Sequence, residues 1–247
     1  MAARAAPRLA PRFVLADGGR WLSLAVSVAA LTACTTVGVH TAERVRIDYG
    51  PRVEMRVCVL SAPHVSHQRV DELIGAVNKE FEPYAIAVTV PWVRPWARPG
   101  FTAASMVDDV IRRDLEPPCD RLIALVDRNA GDFAWGLVMP EVLGAVEEST
   151  HTHGYIVATS ASVNQVFEGP AAATVHEFYH LLGCPHSLSM SGCYRIIAAL
   201  KRHADPAAEL FPGIAPDGSY LLTRDAVNEA LHALVARQEA RRHPSSH

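Results

Sequence analysis

Residues 176–186 read His-Glu-Phe-Tyr-His-Leu-Leu-Gly-Cys-Pro-His, the pattern H-E-x-x-H-x-x-G-x-x-H. His176 and His180 are four residues apart, so on an α-helix their rings lie on one face, one turn above the other. Two imidazoles placed this way can reach a single ion at about 2.0–2.1 Å, the Zn–N distance. Glu177 follows the first ligand and points to the side, where it can take a proton from water rather than bind metal. Gly183 can adopt the left-handed conformation that ends a helix. The chain then passes Cys184 and Pro185 and brings in His186 from outside the helix. Three His ligands with a fourth position left for water make the catalytic rather than the structural zinc arrangement. The plainer readings are a buried helix with incidental histidines, or a metal site without catalysis. The fixed spacing of five positions argues against the first and Glu177 against the second.

The extended motif resembles the metzincin clan of zinc endopeptidases, matching it at His176, Glu177, His180, Gly183 and His186. Ser187 after the third ligand is similar to the matrixin branch. The clan carries a methionine turn beneath the metal, and Met190 is the one methionine that follows residue 186. It sits four residues past His186, closer than the family pattern. A tyrosine near the metal also occurs in the clan; Tyr194 is the candidate here, with packing on the core as the favoured alternative. The close match covers residues 170–194. The resemblance implies a twisted, mostly parallel sheet, an antiparallel edge strand that pairs with extended substrate, an active-site helix and a small helical C-terminal subdomain.

The front of the chain reads as an address. Arg4, Arg8, Arg12 and Arg20 precede an apolar run from Trp21 to Ala33, too short for an ordinary membrane span and formed like a signal-peptide core. The run ends in Leu31-Thr32-Ala33-Cys34, which resembles a bacterial lipobox with Cys34 as the lipidated residue. The alternative is an ordinary secretory signal with an incidental cysteine. No Asp follows Cys34, which in a Gram-negative cell favours the outer membrane. The expectation is a cell-envelope protein tethered by lipid, with residues 1–33 outside the fold.

The chain has 247 residues and a formal net charge of −3, and four Arg against one Asp fall within residues 1–33, so the remainder is the more acidic part. It is long enough for one domain with a real core, and without a basic cluster it gives no support for nucleic-acid binding. Besides Cys34, the cysteines are Cys58, Cys119, Cys184 and Cys193. Export to an oxidising space favours disulfides, and four cysteines allow three pairings. Cys184–Cys193 and Cys58–Cys119 are the favoured pairs, the first closing a small loop around His186 and Met190. The alternatives are free buried thiols, or a cysteine as fourth ligand, which would close the position that water needs.

The elements that must position these groups follow from periodicity. Residues 34–52 read as a tether, with no obvious propeptide carrying a metal-blocking Cys or Asp between 35 and 52, and 53–247 as the catalytic domain, divided at 183/184. The alternating run Val53–Leu60 predicts a strand. Ser66–Phe81 has helical spacing, with Val70, Leu73, Ile74 and Val77 on one face. A strand over Ala85–Val90, a stiff loop over Pro91–Gly100 and a helix over Ala103–Leu115 follow. Strands are expected at Arg121–Val126, within Phe133–Val146 and at His153–Thr159. Proline at 170 suits the first turn of the metal helix. Further helices are expected over Tyr194–Ala204 and, capped by Thr223, over Arg224–Arg241, separated by a proline-rich loop. The order β-α-β-α-β-β-β-α argues for an α/β fold with a mostly parallel sheet. The substrate-binding edge falls at Trp135–Met139 or Val142–Val146. His151 and His153 alternate as strand residues do, and are expected as an exposed pair rather than a second metal site; His64 and His67 are read likewise.

The expected activity is a monomeric zinc endopeptidase with a peptide or protein substrate: Zn2+ on His176, His180 and His186, and Glu177 as general base. The rivals are a zinc-binding envelope lipoprotein without catalysis, and a zinc hydrolase of non-peptide amides.

Overall fold

The strands that carry the core are near-continuous apolar runs because both of their faces are covered. In a computed structural model, residues 37–128, 142–159, 169–205 and 208–242 are described. Strand β1 (Val53–Ser61) sends Met55, Val57 and Val59 into one core cluster and Cys58 and Leu60 into the other. Strand β4 (Arg121–Val126) divides the same way, with Ile123 and Leu125 on one side and Leu122, Ala124 and Val126 on the other. Such two-sided burial is the signature of a parallel sheet packed between layers.

The sheet has the order β2-β1-β4-β6-β5. β2 (Ile86–Thr89), β4 and β6 (His153–Val157) extend it in parallel from β1, and β5 (Gly144–Val146) closes it as an antiparallel edge on β6. The fold is therefore mixed α/β with a mostly parallel sheet and one antiparallel edge, as the element order implies. The edge falls within the Val142–Val146 candidate; the Trp135–Met139 candidate lies outside the described residues, as does Cys34.

Helix α1 (His67–Phe81) starts where Ser66 Oγ accepts a hydrogen bond from Arg69 N, a side-chain N-cap. Its Val70, Leu73, Ile74 and Val77 join the cluster that also holds Phe178 and Leu181 of helix α3 (Pro170–Leu181) and Ile197 of helix α4 (Ser191–His203). Helix α2 (Ala103–Val110) and the terminal helix α5 (Arg224–Arg242) contribute Met106, Val110, Val227 and Leu231 to the cluster on the opposite face. Among the described residues, no helix is long and apolar enough to cross a membrane.

Four expectations need correction. The loop expected over Pro91–Gly100 contains a short strand, β3 (Val93–Pro95), parallel to β1 at Val59–Ser61. β2 occupies the same edge of β1 only as far as Arg56, which leaves the far end of that edge free for β3. Trp92 and Trp96 pack locally, the first under the Arg94 guanidinium and the second donating Nε1–H to Asp109. Helix α2 ends at Val110 rather than Leu115, and Leu115 N is held instead by Asn228 Oδ1 of α5. The proline-rich stretch before α5 holds a small hairpin, β7 (Gly213–Ile214) with β8 (Tyr220–Leu221).

The fourth correction concerns the tether. From residue 37 onward that segment is part of the folded body. Val37 and Tyr49 are core residues, and Ala42–Val45 form a 3-10 turn. Polar sequence hid this packing, because the segment docks mainly through its backbone and through His40 and Arg44.

Candidate metal centre

Helix α3 begins with Gly169 and Pro170 and ends at a glycine, so its length is set at both ends by residue type. Gly183 has φ +76°, and its N–H bonds His180 O at 2.8 Å while Cys184 N bonds Tyr179 O at 3.0 Å. The left-handed backbone favours glycine here, and a Cβ at Gly183 would also have to push aside the Ile214 Cδ1 methyl, 2.5 Å away. Beyond this turn the chain reverses and presents His186.

The three Nε2 atoms converge. His176 and His180 are 3.1 Å apart at Nε2, His176 and His186 3.0 Å, and His180 and His186 3.3 Å. Three ligands about 2.05 Å from one ion in a tetrahedral site are spaced by about 3.3 Å, so the donor set fits zinc. Neutral rings suit this role, and burial pushes both His176 and His180 down to about 4, with each ring's histidine neighbours adding to the effect. His180 Nδ1 lies 2.7 Å from Cys184 O, which fixes the tautomer that leaves Nε2 as the lone-pair atom. Among the described residues this is the one group of three or more potential ligands that converge.

Glu177 is 6 % exposed, and its side chain lies against the edge strand. A Cβ on Gly144 would meet Glu177 Cγ at 2.5 Å, Cδ at 2.7 Å and Oε1 at 2.8 Å. The strand that could pair with an extended substrate and the candidate general base are thus in direct contact, through the one residue type that permits it. A glycine inside a strand pattern signals close approach, so this contact could have been read from the sequence.

The turn between β5 and β6 supports the same centre. The buried carboxylate of Glu147 accepts hydrogen bonds from Ser149 N (2.7 Å), Thr150 N (2.9 Å), Thr152 N (3.0 Å) and the Thr150 hydroxyl. This turn holds His151 at φ +57°, with Nδ1 2.9 Å from His180 O. The expected exposed pair at 151 and 153 is therefore corrected. β6 begins at His153, so the two do not share a strand face, and His153 is fully buried. Its Nε2 lies 3.0 Å from Arg113 O and its Nδ1 2.8 Å from Thr152 Oγ1, and burial pushes it down to about 4. His64 and His67 are exposed.

The loop after Gly183 carries the remaining candidates. Cys184 and Cys193 form a disulfide that encloses His186 and Met190, and Cys58–Cys119 form a second. Met190 is fully buried and immediately precedes α4. Tyr194 is fully buried too, and its hydroxyl faces His40 and Thr41 N. At the end of α3, the Leu181 carbonyl accepts from the buried Arg121 Nε, whose other nitrogens bond Asp120 O, Phe211 O and Pro212 O. Sequence reading placed Arg121 in a buried strand without assigning it this role.

No family model matches the chain, and no curated protein matches it. Among solved structures, the chain is similar to an archaemetzincin from Methanopyrus kandleri. The two are 12 % identical, the match covers 76 % of this chain and 97 % of that one, and the TM-score is 0.32. A likeness at that level carries no functional argument, and the centre stands on its own geometry.

Proposed function

We propose that this protein is a zinc-dependent endopeptidase. The observation that carries the reading is the convergence of the His176, His180 and His186 Nε2 atoms within 3.0–3.3 Å, beside a carboxylate packed on a sheet edge. When bound, zinc supplies the Lewis acidity that polarises a scissile carbonyl and acidifies water. His176, His180 and His186 hold it as neutral ligands, and Cys184 O keeps His180 in the correct tautomer. Glu177 accepts the proton of the attacking water and returns it to the leaving amine. β5, antiparallel on β6 with its other edge unpaired among the described residues, receives an extended peptide by strand addition. The peptide specificity is favoured over a non-peptide amide by that edge, since strand addition reads a backbone. The lipobox-like Cys34 and the apolar run before it support attachment to the cell envelope through lipid, with the site outside the cytoplasm.

Digestion of a peptide library by the full chain tests the activity. Glu177→Ala should lower turnover at least about 100-fold while zinc content stays at the wild-type level. Turnover by that variant at the wild-type rate would remove Glu177 from the chemistry, and an undigested library with zinc bound would leave a binding protein. Metabolic labelling with a fatty-acid analogue, lost in Cys34→Ala, tests the anchor.

A further inference from the structure

His186 is exposed and sits in a segment without regular structure, so its position must be imposed from outside. The disulfide Cys184–Cys193 is one brace. The other is the N-terminal segment. Val39 forms a parallel bridge with Ser189. Ser187 N donates to Val37 O at 2.9 Å, Val39 N to Leu188 O at 3.2 Å, and Met190 N to Val39 O at 3.1 Å. These bonds take up backbone groups from Ser187 to Met190, directly after the third ligand. Contact is at the backbone limit: a Cβ on Gly38 would stand 2.8 Å from Ser187 O and 2.9 Å from Ser189 C.

The strap is itself latched onto both flanking helices. The His40 ring lies parallel to that of Tyr194 of α4, within 4°, with Nδ1 2.7 Å from the hydroxyl, and Thr41 N donates to the same oxygen at 3.2 Å. His40 Nε2 lies 3.2 Å from Glu80 Oε1, which also accepts from the Tyr179 hydroxyl at 2.5 Å. Tyr179 immediately precedes His180 on α3. Residues 37–41 therefore join the loop of the third ligand to the helix of the first two.

We propose that the strap Val37–Thr41 is a positioning element of the metal centre, so that tight metal binding requires it to be docked. This rests on the histidine triad being a metal site and is independent of which amide bond is cleaved. Partners that orient ligands without touching metal typically change affinity 10–100-fold, and the strap, which holds the backbone that follows His186, is expected to act within that range.

The test is zinc affinity of the folded, full chain, measured by competition with a chromophoric chelator and accompanied by thermal denaturation. Gly38→Val, which drives a side chain into the Ser187 and Ser189 backbone, should weaken zinc binding about 10–100-fold. Val45→Ala should leave it unchanged, because Val45 lies outside the strap and is 82 % exposed. Tyr194→Phe, which removes the hydroxyl shared by His40 and Thr41, should weaken binding several-fold. His186→Ala sets the affinity of a two-ligand site. Wild type that binds no more tightly than His186→Ala overturns the triad itself. If wild type is tight and folded Gly38→Val equals it, the strap proposal alone is overturned. Where Gly38→Val does not fold, wild-type affinity in Tyr194→Phe overturns it.

Discussion

The helix that carries His176 and His180 and the loop that carries His186 differ in the source of their order. On α3 the two rings are aligned by the helical repeat itself, and the termini are set by Pro170 and Gly183. The loop has no such internal rule. It is held by a disulfide, by backbone pairing with residues more than a hundred positions away, and by the Gly183 turn. A local pattern thus places two of the three converging histidines, and long-range contacts hold the loop of the third.

The disulfides separate stability from metal binding. Cys58–Cys119 closes a sequence separation of 61 residues in the sheet and its α2-side core, and Cys184–Cys193 closes one of 9 around the third ligand. In the chain-entropy model the long loop contributes about 4 kcal/mol and the short one about 3 kcal/mol. Replacing Cys58 and Cys119 by Ser should therefore cost more in urea stability yet leave zinc affinity unchanged. Replacing Cys184 and Cys193 by Ser should cost less stability and weaken zinc. The reverse order in zinc affinity would show that the ligand loop needs no brace.

On the helix side, the contact to disturb is Gly144 against Glu177. A methyl group there must displace the Glu177 carboxylate, since the clash is with Cγ at 2.5 Å and Cδ at 2.7 Å. Gly144→Ala should reduce kcat about 10–100-fold and shift the acidic limb of the pH–rate profile, because the base itself moves. Zinc affinity should remain that of wild type, the opposite of the loop variants. An unchanged acidic limb would mean that Glu177 keeps its place and the edge strand yields instead.

The same contrast explains how much could be read in advance. The metal helix, its glycine stop and the parallel strands follow from spacing and run length, which are properties of short segments. The strap was invisible because its bonds to the loop after His186 are made by main-chain groups, which no side-chain pattern records. Strand β3 was obscured by Pro91 and Pro95, which read as a stiff loop, but here Pro91 precedes a short edge strand and Pro95 is its last residue. His153 was read as exposed on its polarity, whereas Arg113 O and Thr152 Oγ1 satisfy both of its nitrogens in a closed interior.

Buried neutral histidines allow a final test on the helix side, in the metal-free protein. His153, His176 and His180 are each pushed down to about 4, chiefly by burial, from an ordinary value near 6.5. As pH falls through 6.5 the unfolded chain takes up protons that the folded chain refuses, so stability declines until about pH 4, where the folded groups also protonate. Each such group contributes a slope of about 1.4 kcal/mol per pH unit within that window. Urea midpoints between pH 7 and 4 should show His153→Gln removing one group's share of the slope, with or without zinc. The share belonging to His176 and His180 should remain in the metal-free variant and steepen when zinc is present, because protons must then also displace the metal. A slope insensitive to His153→Gln would mean that this ring is charged within the fold, which its complete burial opposes.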